Sequence, residues 1–179
     1  MTTTDFTTTI VVSQTPKDVF NAINNPRGWW SEEIEGSTDK LNDVFNYHFE
    51  DIHRCQIKLI ESISDKKIVW YVMDNFFKAG IFDGASHQLP ANDKLTKDQI
   101  EWTGTKIIFE IFETENKTQM RFTHLGLVPE YECFDVCTNS WNHYIRQSLL
   151  GLITTGKGQP NRVGTPMTTD EMKFHAAES

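Results

Sequence analysis

The chain has 179 residues, 38% of them hydrophobic and 12% aromatic, and a formal net charge of −8. One domain with a sizeable core fits that length. The acidic balance and the lack of a basic stripe exclude a nucleic-acid binder and disfavour an anionic membrane surface. Three cysteines, Cys55, Cys133 and Cys137, are too few and odd in number for a disulfide framework. The opening "MTTTDFTTTIVV" has no basic segment before a long apolar run, so no signal peptide is expected. No apolar run reaches about 18 residues, so no membrane span is expected either, and a reducing cytoplasm is the expected compartment.

In "DFTTTIVVS", Phe6, Thr8, Ile10 and Val12 share one face at period two, which predicts a strand. "TPKDVFNAI" predicts a helix with Thr15 as N-cap, Pro16 at the first position and Asp18 three after the cap. Val19, Phe20 and Ile23 form its apolar face. Asn24, Asn25 and Pro26 stop it, and a second short helical turn is expected to carry Trp29 and Trp30. Residues 31–43 are polar and acidic and read as a loop. Strands follow at 44–50, 54–63 and 67–74, the last two forming a hairpin around Asp65, Lys66 and Lys67. Cys55, Ile57, Leu59 and Ile63 are expected on one face.

Residues 75–98 have no regular pattern and contain Gly80, Gly84 and Pro90 among Phe76, Phe77 and Phe82. An excursion of that length is either a lid or a packed surface loop. "IEWTGTKIIFEIFE" and "TQMRFTHLGL" predict two more strands, turning at Glu115, Asn116 and Lys117. Thr105, Ile107, Phe109 and Ile111 share a face in the first, and Met120, Phe122 and His124 in the second. A long helix is expected from about Glu130 to Thr155, with acidic residues at its N-terminal dipole and Gly156 as its stop. Residues 161–179, rich in Gly, Pro and Thr, are expected to form a flexible tail, loosely held or docked on a neighbour. There is no internal repeat. A sheet with one apolar face must bury that face, and the long helix is the element large enough to cover it.

"TPKDVFNAINNPRGWW", "EWTGTKIIFEI", "TQMRFTHLGLVPEYECFDVCTNSWNHYIRQSL" and "LITTGKGQP" resemble the SRPBCC superfamily, also called START-like or birch-pollen-allergen-like. Within it they are most similar to bacterial homologues of the activator of the 90-kDa heat-shock-protein ATPase. The resemblance covers about residues 5–160. It implies an α+β helix-grip fold, in which a curved antiparallel sheet wraps a long C-terminal helix around a cavity. Relatives bind lipids, sterols or polyketides, some catalyse cyclisation or ring chemistry, and eukaryotic co-chaperones bind a chaperone.

"FTHLGLVPEYECFDVCTNSWNHYI" concentrates the chemistry. Cys133 and Cys137 lie one helical turn apart, but a structural zinc site needs a second ligand pair, so no metal is expected. Helical geometry also orients two such Cβ atoms poorly for a disulfide. Cys137, Trp141, Tyr144, Ser148 and Leu152 continue one stripe, a core-facing helix surface. His124 is expected to point inward, either as a core histidine satisfied by a hydrogen bond or as a general base. No nucleophile triad, zinc-protease motif, Walker loop or dinucleotide fingerprint is present, and no cofactor is expected.

The expected ligand lining is Trp70, Phe109, Phe122, His124, Cys137, Trp141 and Tyr144. The function this implies is binding of a small, mainly apolar or lipid-like molecule by a monomer or small homodimer. The alternatives are a co-chaperone-like regulator of a heat-shock-protein ATPase, or a cyclase or hydrolase using His124.

Overall fold

A computed structural model of the chain describes residues 4–78, 81 and 100–177. Seven strands form one antiparallel sheet: β1 (Phe6–Val12), β2 (Glu35–Gly36), β3 (Val44–Phe49), β4 (His53–Ile63), β5 (Lys67–Phe77), β6 (Lys106–Thr114) and β7 (Lys117–Leu125). Their order is β1-β7-β6-β5-β4-β3-β2. Helix α1 (Pro16–Ile23) starts at the expected capping box, Thr15 accepting from the Asp18 amide and Asp18 from the Thr15 amide.

The principal helix runs without a break through α2 (Phe134–His143), a π-helical segment (Tyr144–Leu149) and α3 (Leu150–Thr155). The wider π turn lets Tyr144, Ile145, Ser148 and Leu149 all face the core. Gly156, in the left-handed region at φ 79°, ends it as expected. The sheet curves around this helix, which is the helix-grip fold expected from the sequence. No helix among the described residues is long and apolar enough to cross a membrane.

Several local expectations need correction. The β4–β5 register shifts between Leu59 and Glu61, and one such extra residue exchanges inward and outward positions beyond it. Ile63 therefore stands 44% exposed while Cys55, Ile57 and Leu59 are buried. Strand β5 continues past Asp74, because Asn75 and Phe77 keep the alternation and pair with Cys55 and His53. The rest of the expected 75–98 excursion, apart from Lys78 and Ile81, lies outside the described residues. Strand β6 starts at Lys106 rather than Ile100, since the chain turns at Thr103–Gly104, with Gly104 at φ 84°.

A short 3-10 helix covers Pro26–Gly28 and ends before Trp29 and Trp30, and the 31–43 loop contains β2. The principal helix begins at Phe134, not Glu130. The carboxylate of Glu101 accepts from the amides of Glu132 (3.1 Å) and Cys133 (3.2 Å), so the acid at the helix start comes from a distant segment. Glu130 itself is exposed.

Five tryptophans fill the centre: Trp29, Trp30, Trp70, Trp102 and Trp141 are each at most 4% exposed. Trp70 meets Trp29 and Trp30 in stacked pairs and Phe45 and Phe109 edge-on, with centroids 4.8–6.1 Å apart. The Trp29–Trp30 corner is held by the stretch after Gly156. The Ser148 hydroxyl donates to the Trp29 carbonyl and accepts from the Gln159 amide, each at 2.6 Å, and the Asn161 amide donates to the Trp30 carbonyl at 2.9 Å.

Gly158 lies so close to this corner that an added Cβ would sit 2.1 Å from the Gly28 carbonyl oxygen. Backbone faces backbone here, so no side chain can swing away. Gly158→Ala is expected to cost roughly 2–3 kcal/mol in urea unfolding, as overpacking does. A loss under about 0.5 kcal/mol, the usual size for a surface change, would show that the segment relaxes freely.

Residues 161–177 differ from the flexible tail expected. Asn161, Thr168 and Glu171 are buried, and a fourth helix, α4 (Thr169–Ala177), lies against the domain. The Thr168 hydroxyl accepts from the Glu171 amide at 3.1 Å, and the Glu171 carboxylate accepts from the Met167 amide at 2.9 Å. This is a variant of the capping box that starts helices.

Candidate functional site

At one end of the grip, between the ends of β3 to β5, helix α2 and helix α4, lies a pocket of about 50 Å³. Its wall is mostly aromatic and aliphatic, with Trp30, Phe49, Ile52, Phe77, Trp102, Trp141 and Phe174. Its polar groups are Tyr47, His53, Cys137, Ser140, Tyr144 and Glu171. It reaches the surface beside Val136, Ser140 and Phe174, which are half-buried.

The seven residues expected to line a ligand site divide into three layers. Cys137, Trp141 and Tyr144 line the pocket. Trp70, Phe109 and Phe122 are fully buried deeper in the grip, and among themselves and with Trp141 they leave ring contacts rather than open space. His124 lies between these layers, behind Trp102 and Trp141, with its ring centroid 4.8 Å from Trp102.

Both nitrogens of His124 are in use. The Trp141 indole N–H donates to Nδ1 at 3.1 Å, and Nε2 lies 2.8 Å from the Thr105 hydroxyl. That hydroxyl gives its own proton to the Trp102 carbonyl at 2.6 Å, so Nε2 carries the proton of this pair. Burial, with a smaller contribution from His53, pushes the His124 pKa down to about 3. The ring is a neutral bridge from strand to helix and directs no free lone pair at the pocket.

His53, by contrast, does line the pocket. Its Nε2 sits 2.7 Å from Asn75 Oδ1, and its ring stacks on Phe77 at 4.1 Å. Burial lowers its pKa to about 4 against the opposing effect of the Asn75 bond. The three thiols are free and buried. A hydrogen bond with Cys137, followed by burial, keeps the Cys133 thiol strongly protonated, and burial does the same for Cys55. Among the described residues no three His, Cys, Asp or Glu side chains come together as a metal site.

A buried polar set closes the far side. Asn161 Nδ2 donates to the phenol oxygens of Tyr144 (2.8 Å) and Tyr47 (3.2 Å), and the Tyr144 hydroxyl donates to Glu171 at 2.6 Å. Burial raises the Glu171 pKa, opposed by its bonds to the Met167 amide and Tyr144. Trp102 is 4% exposed, and its indole N–H has no hydrogen-bond partner among the described residues.

Sequence reading missed Tyr47, His53, Asn161 and Glu171. Alternation marked the first two, since Phe45, Tyr47 and Phe49 share the inner face of β3 and His53 precedes Cys55 by two. The spacing of Thr168 and Glu171 in "TTDE" was the visible sign of α4.

No known family profile matches the sequence, and no curated protein does. Solved structures do. The solution structure of the Aha1 dimer from Colwellia psychrerythraea is similar over 87% of this chain and 99% of that one, with TM-score 0.63 and 20% identity. A crystal structure of a Staphylococcus saprophyticus protein is similar over 89% of this chain and 98% of that one, with TM-score 0.54 and 15% identity. A protein of the dynemicin biosynthetic locus is similar over 85% of this chain but 48% of its own, with TM-score 0.56 and 11% identity. These likenesses agree with the resemblance read from the sequence, and at such identities they establish the fold.

Proposed function

We propose that this domain binds a small molecule with an apolar body in the pocket between Trp102, Trp141 and α4. The observation that carries the reading is the indole N–H of Trp102, a wall residue, which is a buried donor left unpartnered among the described residues. A buried unpaired donor costs about 1–3 kcal/mol, and an acceptor atom of a ligand would recover that. A concave apolar wall with few polar groups is the usual form of such sites. The pocket is well below the roughly 300 Å³ of a drug-sized site, so a larger guest must displace part of the wall, and α4 contributes the least embedded part. No cofactor or metal enters this reading, and His124, with both nitrogens engaged, gives no support to the cyclase or hydrolase alternative.

The experiment is native mass spectrometry and thermal unfolding of the full chain with 1-naphthol and decan-1-ol. Ligand at about 100 times Kd is expected to add about 2.7 kcal/mol, which raises Tm by roughly 5–10 °C. Val136→Trp, which fills the pocket mouth, should abolish the shift. No bound mass and no shift with either probe would overturn the reading. Co-chaperone activity, suggested by the likeness to Aha1, would then be the reading to test, by binding to a purified 90-kDa heat-shock protein. Light scattering decides between a monomer and a homodimer like that neighbour.

A further inference from the structure

Resting on the reading that the pocket takes a ligand, we propose that the ligand's polar end is a carboxyl group, whose place in this structure is taken by Glu171 of α4. The arrangement of protons carries this. Asn161, fully buried, gives both N–H bonds of its amide to the phenol oxygens of Tyr47 and Tyr144. Each phenol oxygen is thereby an acceptor, and its own proton must point elsewhere. The Tyr144 proton goes to Glu171. The Tyr47 proton has no acceptor among the described residues, though Tyr47 is 4% exposed. Trp102, whose buried N–H is also unpartnered, lines the same pocket, and Glu171 is the one carboxyl among the described lining residues.

That pattern fits a group with two adjacent acceptor oxygens and a planar head. An alcohol offers a single acceptor oxygen and a protonated amine none, and among the described residues no side-chain cation lines the pocket to favour a phosphate. Glu171 is held there by a short helix whose inward contacts include Glu171 itself, Phe174 and the His175–Glu50 pair at 2.5 Å. Met172, Lys173 and Ala176 face outward. An apolar carboxylic acid would put its chain where Phe174 lies and its head on the two phenols, displacing α4. The helix thus acts as a built-in competitor for the site.

Isothermal titration of the full chain with decanoic acid and decan-1-ol, which differ only in the head, tests this. Glu171→Ala is expected to bind decanoic acid at least about tenfold tighter than the wild type, about 1.4 kcal/mol. Adding Tyr47→Phe should weaken the acid about tenfold while leaving the alcohol within about threefold, since one hydrogen bond to a charged group is lost. Should Glu171→Ala fold poorly, Phe174→Ala loosens the same helix and carries the same first expectation. Equal gains for acid and alcohol, or no gain for either, would overturn the inference while leaving the pocket intact. Failure of wild type and all variants to bind either probe would instead defeat the ligand-binding reading itself.

Discussion

Trp70→Ala is expected to lower the unfolding free energy by roughly 3–5 kcal/mol, near the upper limit for a single core truncation. Trp70 is fully buried and touches Trp29, Trp30, Phe45 and Phe109. Those neighbours are large planar rings on different elements, and rings cannot collapse into a hole as aliphatic chains partly do. The cavity therefore persists, and its cost adds to the lost transfer energy. Set against a total of about 5–15 kcal/mol, this leaves the variant near its folding threshold.

Trp70→Phe should be far milder, about 1 kcal/mol, because it also removes a buried indole N–H that has no partner. Urea unfolding followed by circular dichroism gives both values. A loss below about 1 kcal/mol for the alanine variant would mean that the tryptophan cluster repacks.

Acid should destabilise the domain steeply between pH 6.5 and about 4. His124 and His53 both have folded-state pKa values depressed from 6.5, to about 3 and about 4. Above pH 6.5 both states hold neutral rings and the stability is complete. Below it the unfolded chain binds protons that the folded chain refuses, so stability falls with pH until the folded pKa is reached. By pH 4 each ring accounts for roughly 3 kcal/mol, and together they reach the scale of the whole folding energy.

The geometry explains why His124 resists. A proton on Nδ1 would face the Trp141 N–H, donor against donor. His124→Gln removes one titrating group, so the slope of stability against pH should fall by about 1.4 kcal/mol per unit in urea melts at pH 7, 5.5 and 4.5. An unchanged slope would show that His124 does not titrate differently on unfolding.

Much of the grip was legible because its signals are local. Thr15 and Asp18 announce α1 within four residues, and Met120, Phe122 and His124 share a face because strand parity is strict where no bulge intervenes. The failures come from non-local physics. The bulge at Leu59 to Glu61 leaves no mark in composition, so Ile63 reads as inward. The π segment depends on how the helix fits the sheet, which single-residue propensities do not encode. Glu101, far away in the chain, holds the Glu132 and Cys133 amides just before α2 starts at Phe134, a contact no local pattern shows.

The site divides in the same way. Cys137, Trp141 and Tyr144 follow from helical spacing alone. Glu171 reads as a solvated acid until Tyr144 and Asn161 are seen opposite it. Trp70, Phe109 and Phe122 face the right way, but parity gives direction and not depth. Depth depends on how many tryptophans already fill the space.

The pairing of β1 with β7 bears on how the domain is made. Phe6 lies opposite His124 and Val12 opposite Thr118, so the first strand synthesised pairs with the last. While the chain grows, β1 has no partner, and its Thr-rich outer face keeps that waiting segment soluble. The β3–β4–β5 meander can assemble from neighbours as it emerges, whereas closure of the β1 edge waits for the hairpin of β6 and β7. The inner face of the sheet stays uncovered until Trp141 and Tyr144 leave the ribosome. The domain is therefore completed from its C-terminal third backwards, and a pause in translation before the principal helix leaves an open aromatic sheet, the state most prone to aggregate.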